Sequence, residues 1–352
     1  MKFDESRRDF IKRTIGAGLG IYGLTKLEYP LVGTAEASRK SSVVIARDGD
    51  AIDSSLKVDQ NIVSRMLDDA VKKLAGKNST SSAWKEYFRS DDIVGIKVNT
   101  LSGRWMCSHP ELVAAIVDGL RSAGVKEKNI IIWDRFDKEL IVSGFELNTK
   151  SSNDPRCFGT STVGYEKDIT MYGSIASRLS KIIDHCTAFV NVPVLKHHGD
   201  AGVTLCMKNW FGAINNPSKY HFDTSSKKRM LAACDYIPDL NSMIFSSKGM
   251  GKRQLIICDA IMSQYDRGPG YRPNMAWNYG GLIVSADPVA LDRIGAQIID
   301  KKRLEVGLKP LSEVGREPKY ISIAADRSHK LGTDNLSKIE LISAGTYMSM
   351  GL

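Results

Sequence analysis

Lysine, histidine and amide side chains close two apolar, β-branched runs of the chain. Lys97 and Asn99 end the first run, and Lys196 and His198 end the second. Side chains alternate along a strand, so the two members of each pair lie on the same side. An ammonium group that ends an apolar strand either reaches water or meets an anion, because burying it unpaired is costly. The two strand ends together predict a cationic pocket.

A third group of polar residues follows shortly after Lys196. The pattern of residues 203–211 predicts a helix, on which Thr204 and Lys208 are spaced four apart and therefore share a face. Lys208 and Asn209 are expected to join the same anion site. The alternative is a helix of the protein core with one solvent-exposed edge.

Two histidines and an aspartate add acid–base or metal chemistry. Imidazole and carboxylate groups relay protons and bind divalent cations. We predict His198 and His221 as acid–base groups, and His198, His221 and Asp259 as ligands of a divalent metal. Arg267 flanks a Gly-Pro-Gly turn and is a further anion ligand, with an ordinary surface turn as the alternative. The predicted ligand-binding set comprises Lys97, Asn99, Lys196, Lys208, Asn209 and Arg267.

Short β-branched runs alternate with longer amphipathic runs through most of the chain. The predicted strands cover residues 42–46, 93–98, 129–133, 188–195, 254–258, 282–285 and 339–342. The predicted helices cover residues 59–74, 109–123, 174–183, 203–211, 227–245 and 288–300. Such alternation implies crossover connections. We therefore expect an α/β fold with a mostly parallel sheet and helices on both faces.

The candidate residues should meet at one edge of this sheet. We expect a single large domain over residues 38–352, with an insertion at about 138–168 where the sequence is polar and broken by Gly and Pro. In open parallel sheets, ligands bind beyond the carboxyl ends of the strands. The lysines and histidines at the strand ends are therefore expected to converge there.

Residues 1–37 carry the features of an export signal. In order, they are paired arginines, an aromatic residue, a lysine, an apolar stretch and an Ala-x-Ala site: Arg7, Arg8, Phe10, Lys12, 14–24 and 35–37. This order resembles a twin-arginine signal peptide, which predicts the twin-arginine translocase as a partner and a periplasmic or extracytoplasmic location. The alternative is a basic amphipathic helix with an incidental arginine pair. The apolar stretch is shorter than the roughly 20 residues of a membrane helix, so no stable membrane span is expected.

The composition is that of an ordinary folded protein. Of 352 residues, 42% are hydrophobic and 25% charged, and the formal net charge is +9. A basic protein attracts small anions, but its lysines are scattered and no nucleic-acid-binding module is present, so nucleic acid is not an expected partner. The sequence also lacks a G-x-S-x-G elbow, a phosphate-binding loop and a dinucleotide-binding G-x-G-x-x-G.

The cysteines do not have the spacing of a cluster site. None of the six forms a C-x-x-C pair, which argues against an iron–sulfur cluster and a compact zinc site. Cys186, Cys206 and Cys258 lie in apolar runs and are expected to be buried. Cys107 and Cys157 lie in loop-like sequence and could pair in an oxidising compartment.

The residues that carry this chemistry also resemble one known family. Blocks of the chain occur in the order typical of the domain-of-unknown-function family 362, over about residues 42–300: 97–99, 109–110, 192–198, 204–212, 220–221, 259, 268–270 and 287–292. The resemblance implies no particular reaction. Many members of that family carry a ferredoxin-like module with closely spaced cysteines, and this sequence lacks those cysteines.

Three functions are compatible with these features. The leading hypothesis is an exported enzyme that acts on a small anionic substrate or cofactor in a pocket of lysines and histidines, with or without a metal. The alternative is a non-catalytic ligand-binding protein or an accessory protein of a periplasmic redox system. A structural surface protein would have no convergent pocket.

Overall fold

Runs of β-branched residues form the strands of a central ten-stranded sheet. The computed structural model describes residues 40–150, 153–221 and 233–345, which fall in one compact unit, Lys40–Leu352. The predicted signal peptide, residues 1–37, lies outside the described residues. The strands are β1 Ser41–Arg47, β2 Val94–Lys97, β3 Ile130–Trp133, β4 Arg156–Cys157, β5 Thr170–Tyr172, β6 Ile175–Ser177, β7 Ala188–Asn191, β8 Val194–His198, β9 Gly202–Thr204, β10 Arg253–Gln264, β11 Ala276–Ser285 and β12 Ile339–Ala344.

The strand order in the sheet is β12-β1-β11-β10-β7-β2-β3-β4, with β8 beside β10 and β9 beside β8. Most neighbouring strands are parallel, whereas β11 is antiparallel to both β1 and β10, and β9 is antiparallel to β8. Strands β5 and β6 form a separate hairpin. The predicted mostly parallel sheet is therefore confirmed, with an antiparallel strand inside it.

Helices cover the sheet and begin at recognisable caps. Asp59 accepts the backbone N–H groups of Asn61 and Ile62 at the start of the first helix, and Gly76 ends it in the left-handed conformation, with φ 64°. The helices are α1 Gln60–Ala75, α2 Thr80–Lys85, α3 Pro110–Ser122, α4 Asp137–Val142, α5 Thr160–Val163, α6 Lys181–His185, α7 Cys206–Asn209, α8 Ala233–Phe245, α9 Pro288–Glu305 and α10 Tyr320–Ala325.

The core has two layers, one on each face of the sheet. Along β1, Val43 and Ile45 pack in one layer, and Val44 and Ala46 pack in the other. This alternation follows from the period of two along a strand. Both sides of β1 are thus buried, as expected for a strand with helices on both faces.

Two of the predicted helices are wrong in part. Residues 174–183 contain β6 before the short helix α6, and Val203 and Thr204 belong to β9 rather than to a helix. Gly202 takes a positive φ of 80°, which turns the chain back so that Thr204 pairs with Lys196. Helix α7 begins only at Cys206.

Other predictions concern the cysteines and the membrane. Cys186, Cys206 and Cys258 are fully buried. Cys107 and Cys157 are both free thiols, so the disulfide considered between them is not formed. Among the described residues, no helix combines the length and apolar character that crossing a bilayer requires.

Candidate functional site: a lysine–histidine cavity

A cavity of about 220 Å³ lies beyond the carboxyl ends of β2, β3 and β8. This is the edge at which ligands of open parallel sheets bind. We call it the lysine–histidine cavity. Six of the predicted site residues line it: Lys97, Asn99, His198, Lys208, Asn209 and His221.

Lys97 is held in a buried ion pair. Its Nζ lies 2.6 Å from Asp134 Oδ1 and donates to the carbonyl of Val98 at 2.7 Å. The other carboxylate oxygen accepts the backbone N–H and the hydroxyl of Thr100, both at 2.8 Å. A Cβ at Gly212 would lie 2.9 Å from Asp134 Oδ1 and 3.0 Å from Lys97 Nζ, so glycine permits this close packing. The Lys97 ammonium is thus compensated by a carboxylate within the protein.

Lys196 is buried behind the cavity wall among neutral oxygens. Its Nζ donates to Asn99 Oδ1 and Ser102 Oγ, both at 2.9 Å. Asn99 Nδ2 in turn donates to Asn209 Oδ1 at 3.1 Å. Burial lowers the pKa of Lys196 to about 8, because no direct carboxylate contact offsets the loss of water. Lys196 thus fixes the amides that line the cavity.

Lys208 has an imidazole as its hydrogen-bond partner. His221 Nδ1 donates to the carbonyl of Pro217 at 2.8 Å, which leaves Nε2 as the acceptor for Lys208 Nζ at 2.7 Å. The same Nζ lies 3.8 Å from the centroid of the Phe211 ring. Burial lowers the pKa of Lys208 to about 7, and burial together with the Lys208 charge lowers that of His221 to about 4. The neutral imidazole thus does not offset the burial of the Lys208 ammonium as a carboxylate would.

His198 presents an N–H group to the cavity. Its Nδ1 accepts the backbone N–H groups of Asp200 at 3.0 Å and Ala201 at 3.3 Å, so the proton of the neutral ring is on Nε2. The ring stacks on His221 with the centroids 5.6 Å apart. Burial, followed by the Lys208 charge, lowers the pKa of His198 well below its usual value. His198 is therefore a neutral hydrogen-bond donor.

Thr204 offers a further polar group. The residue is only 4% exposed, and its Oγ1 has no hydrogen-bond partner in the described part of the chain. Buried hydroxyl groups normally form a hydrogen bond, so the Thr204 hydroxyl is able to bond to a molecule in the cavity. A ligand oxygen in the cavity would satisfy it.

Two predicted residues lie elsewhere. Arg267 is exposed on the loop between β10 and β11 and does not line the cavity. Asp259 is buried in β10, where its Oδ2 lies 2.8 Å from His109 Nδ1. Among the described residues, no group of three or more His, Cys, Asp or Glu side chains is arranged to hold a metal ion. The structure therefore does not bring Asp259 together with His198 and His221, which both line the lysine–histidine cavity.

The sequence reasoning missed Asp134. It directly follows β3, so the strand-end rule that selected Lys97 could have found it. Arg135, Phe136 and Glu139 also line the cavity, from the segment after β3. No periodic pattern marks these three residues.

Comparisons with known proteins give a structural likeness and a family. The lactate racemase apoprotein from Thermoanaerobacterium thermosaccharolyticum is similar at a TM-score of 0.40 and 12% identity, over 72% of this chain. The match covers 56% of that protein, and nothing about activity follows from it. No curated protein matches the sequence.

The family match is more extensive. The model of a domain of unknown function, DUF362, matches residues 94–297, which is more than half of the chain and includes β2 through most of α9. The match contains every residue described above as lining the cavity. The chain therefore belongs to the DUF362 family.

Proposed function

We propose that this protein is an exported enzyme that acts on a small organic anion bound in the lysine–histidine cavity. The observation that carries the proposal is the contact between Lys208 Nζ and His221 Nε2, at 2.7 Å. A buried lysine that can lose its proton near neutral pH is suited to binding an anion and to proton transfer. Lys97 is already paired with the carboxylate of Asp134, so Lys208 is the better candidate for contact with an anionic ligand.

The cavity favours a ligand with one anionic group and a small apolar part. Three hydrogen-bond donors line the cavity: Lys208 Nζ, the Nε2–H of His198 and the Thr204 hydroxyl. Phe136 and Phe211 supply aromatic surface. Such donors stabilise an anion, or a negative charge that develops on an oxygen during reaction.

In a reaction, His221 would position Lys208 through the hydrogen bond that its Nε2 accepts. The Nδ1–H bond to Pro217 keeps Nε2 available as an acceptor. Lys208 would then give a proton to the substrate or take one from it, while His198 holds the substrate oxygen. The direction of transfer depends on the substrate.

Binding can be tested by isothermal titration calorimetry with acetate, benzoate and inorganic phosphate. An anion stabilises the charged form of Lys208, so binding at pH 8 should take up close to one proton, seen by comparing buffers with different ionisation enthalpies. The Lys208→Met variant should bind at least about tenfold more weakly and take up no proton. Binding without proton uptake, and unchanged in Lys208→Met, would contradict the proposal, as would no binding of any of the three anions.

Turnover separates the enzyme from the alternative of a binding or accessory protein. Once an anion that binds has been found, its conversion can be followed by mass spectrometry with His198→Asn and His221→Asn. An enzyme loses turnover in these variants more than it loses affinity. If the wild type converts none of the bound anions and the variants lose only affinity, the binding protein is the correct function.

Export is tested on the full chain. A double Arg7→Lys, Arg8→Lys variant should remain in the cytoplasm, whereas the wild type should reach the periplasm of a host with a twin-arginine translocase. Cell fractionation measures both. Equal periplasmic yields of the two proteins would count against a twin-arginine signal.

A further inference from the structure

A second cavity lies on the other side of the loop that joins β2 to α3. Its volume is about 530 Å³, and it shares no lining residue with the lysine–histidine cavity. His109, Arg104 and Lys57 bring nitrogen donors to its wall. Nothing in the function proposed above uses these residues.

His109 is held in one orientation by a buried carboxylate. Asp259 Oδ2 lies 2.8 Å from His109 Nδ1 and accepts the His109 backbone N–H, also at 2.8 Å. Asp259 is fully buried, and its Oδ1 accepts the backbone N–H of Ile261 at 3.1 Å. Because Nδ1 is bound to the carboxylate, Nε2 is the ring nitrogen left for the cavity. A carboxylate that orients an imidazole in this way also favours its protonated, donating form.

The two other cations form no ion pair with a described residue at the cavity, although a hydrogen bond from the Lys57 backbone and, to a lesser extent, the Lys57 charge contribute to lowering the pKa of the Asp53 carboxyl a few residues away. In the parts of the chain that the structure describes, neither Lys57 nor Arg104 forms an ion pair, and both are exposed at the cavity. Trp105 is 45% exposed beside them, and the Arg104 guanidinium carbon lies 5.6 Å from its ring centroid. An exposed indole next to unpaired cations provides a stacking surface for a planar ring.

We infer that this second cavity is a binding site for a phosphate monoester with a planar ring, bound by His109, Lys57 and Arg104 and stacked on Trp105. Three donors on separate residues suit the three terminal oxygens of a phosphate better than the two of a carboxylate. Glu111 is the acidic residue at the wall, so the lining keeps an excess of positive charge. The simpler reading is that the Asp259–His109 pair only joins β10 to the start of α3.

The test uses phenyl phosphate as the probe and the full chain with Lys208→Met, which removes the ammonium of the first cavity. Calorimetry should still detect binding, and the imidazole ¹⁵N resonances of His109 should shift saturably. Arg104→Gln should weaken binding about tenfold, since it removes a charged hydrogen bond. Benzoate should bind more weakly than phenyl phosphate.

His109→Asn separates binding from a purely structural role. The asparagine amide can take the place of Nδ1 toward Asp259 but has no group at the position of Nε2. The variant should therefore fold, with a lower melting temperature because the buried Asp259 carboxylate loses the charge of the imidazole, and should bind phenyl phosphate about tenfold more weakly. Arg104→Gln, at an exposed position, provides the same information if His109→Asn does not fold.

Several results would overturn the inference. They are loss of phenyl phosphate binding on introducing Lys208→Met, His109 resonances that do not move, and unchanged affinity in both Arg104→Gln and His109→Asn. Equal affinity for benzoate and phenyl phosphate would overturn the assignment to a phosphate.

Discussion

Two buried lysines of one cavity, Lys97 and Lys208, differ in the charge of their partners. Lys97 contacts the carboxylate of Asp134, and Lys208 contacts the neutral imidazole of His221. A carboxylate compensates a buried ammonium group, whereas an imidazole gives it only one hydrogen bond. The first lysine is therefore compensated by a carboxylate, and we propose that the second contacts a ligand.

Lys196 resembles Lys208 in having no carboxylate at its Nζ. Its partners are neutral oxygens of Asn99, Ser102 and Met106, and burial lowers its pKa to about 8, compared with about 7 for Lys208. Burial alone therefore does not identify a functional lysine. The charge of the group at Nζ separates Lys97 from the other two lysines, and only Lys208 of those two lines the cavity.

The largest expected effect comes from substituting the two lysines in the same way. Lys97→Met leaves the Asp134 carboxylate buried without its cation and should lower the free energy of unfolding by about 3–5 kcal/mol. Lys208→Met leaves only the Nε2 of a neutral imidazole without its donor, which costs about 1–3 kcal/mol, so this variant should be destabilised less than Lys97→Met. Urea denaturation of the two variants measures both. Equal destabilisation of the two variants would show that the charge of the partner does not distinguish Lys97 from Lys208.

A second test adds volume to the framework without changing charge. Gly212→Ala would bring a Cβ to 2.9 Å from Asp134 Oδ1, and the forced shift should cost about 1–3 kcal/mol. Gly270→Ala is the matched control, because a Cβ there meets nothing within 4 Å and should leave stability nearly unchanged. Urea denaturation should separate the two variants. A stable Gly212→Ala would show that the ion pair is not tightly packed.

A third test follows ligand affinity with pH. The pKa of Lys208 is lowered to about 7, so its ammonium is present below that pH and is lost above it. Affinity for an anion in the lysine–histidine cavity should therefore be constant at lower pH and fall by up to about tenfold for each unit above 7. Calorimetry between pH 6 and pH 9 measures this, on the order of 1.4 kcal/mol per unit. An affinity that stays constant to pH 9 would show that Lys208 keeps its proton over this range.

The smallest expected effect concerns the orphan hydroxyl. Thr204→Val removes an unbonded buried oxygen and should raise the free energy of unfolding by up to about 1 kcal/mol, while weakening anion binding. The control is Thr100→Val, which breaks the 2.8 Å bond from Oγ1 to Asp134 and should destabilise the protein by about 1–3 kcal/mol. Thermal melts distinguish the two. A destabilised Thr204→Val would mean that its hydroxyl has a partner.

The sequence predicts most of the fold and the convergence of the lysines. Strand ends are visible as apolar β-branched runs that stop at a polar residue, and parallel strands bring those ends together. Each boundary of β1 and α1 differs from the prediction by one residue. The secondary structure of residues 203–211 was harder to predict, because the apolar residues there fit either a strand or a helix.

The errors in predicting the site residues arise because strand length and strand pairing depend on tertiary structure. Asp259 was expected at a strand end, but β10 continues to Gln264, so its carboxylate lies within the strand and faces His109. That Asp134 compensates Lys97 depends on β2 and β3 being neighbours, which local patterns do not specify. The sequence could therefore locate the cations but not distinguish the compensated one from the others.

The central claim is that Lys208 exchanges a proton near neutral pH. It can be measured directly by following the ¹³Cε resonance of Lys208, assigned with Lys208→Met, through a pH titration of the protein. The structure predicts a midpoint near pH 7 that rises when an anion binds. A midpoint near the ordinary lysine value of about 10.4, unmoved by anions, would contradict it.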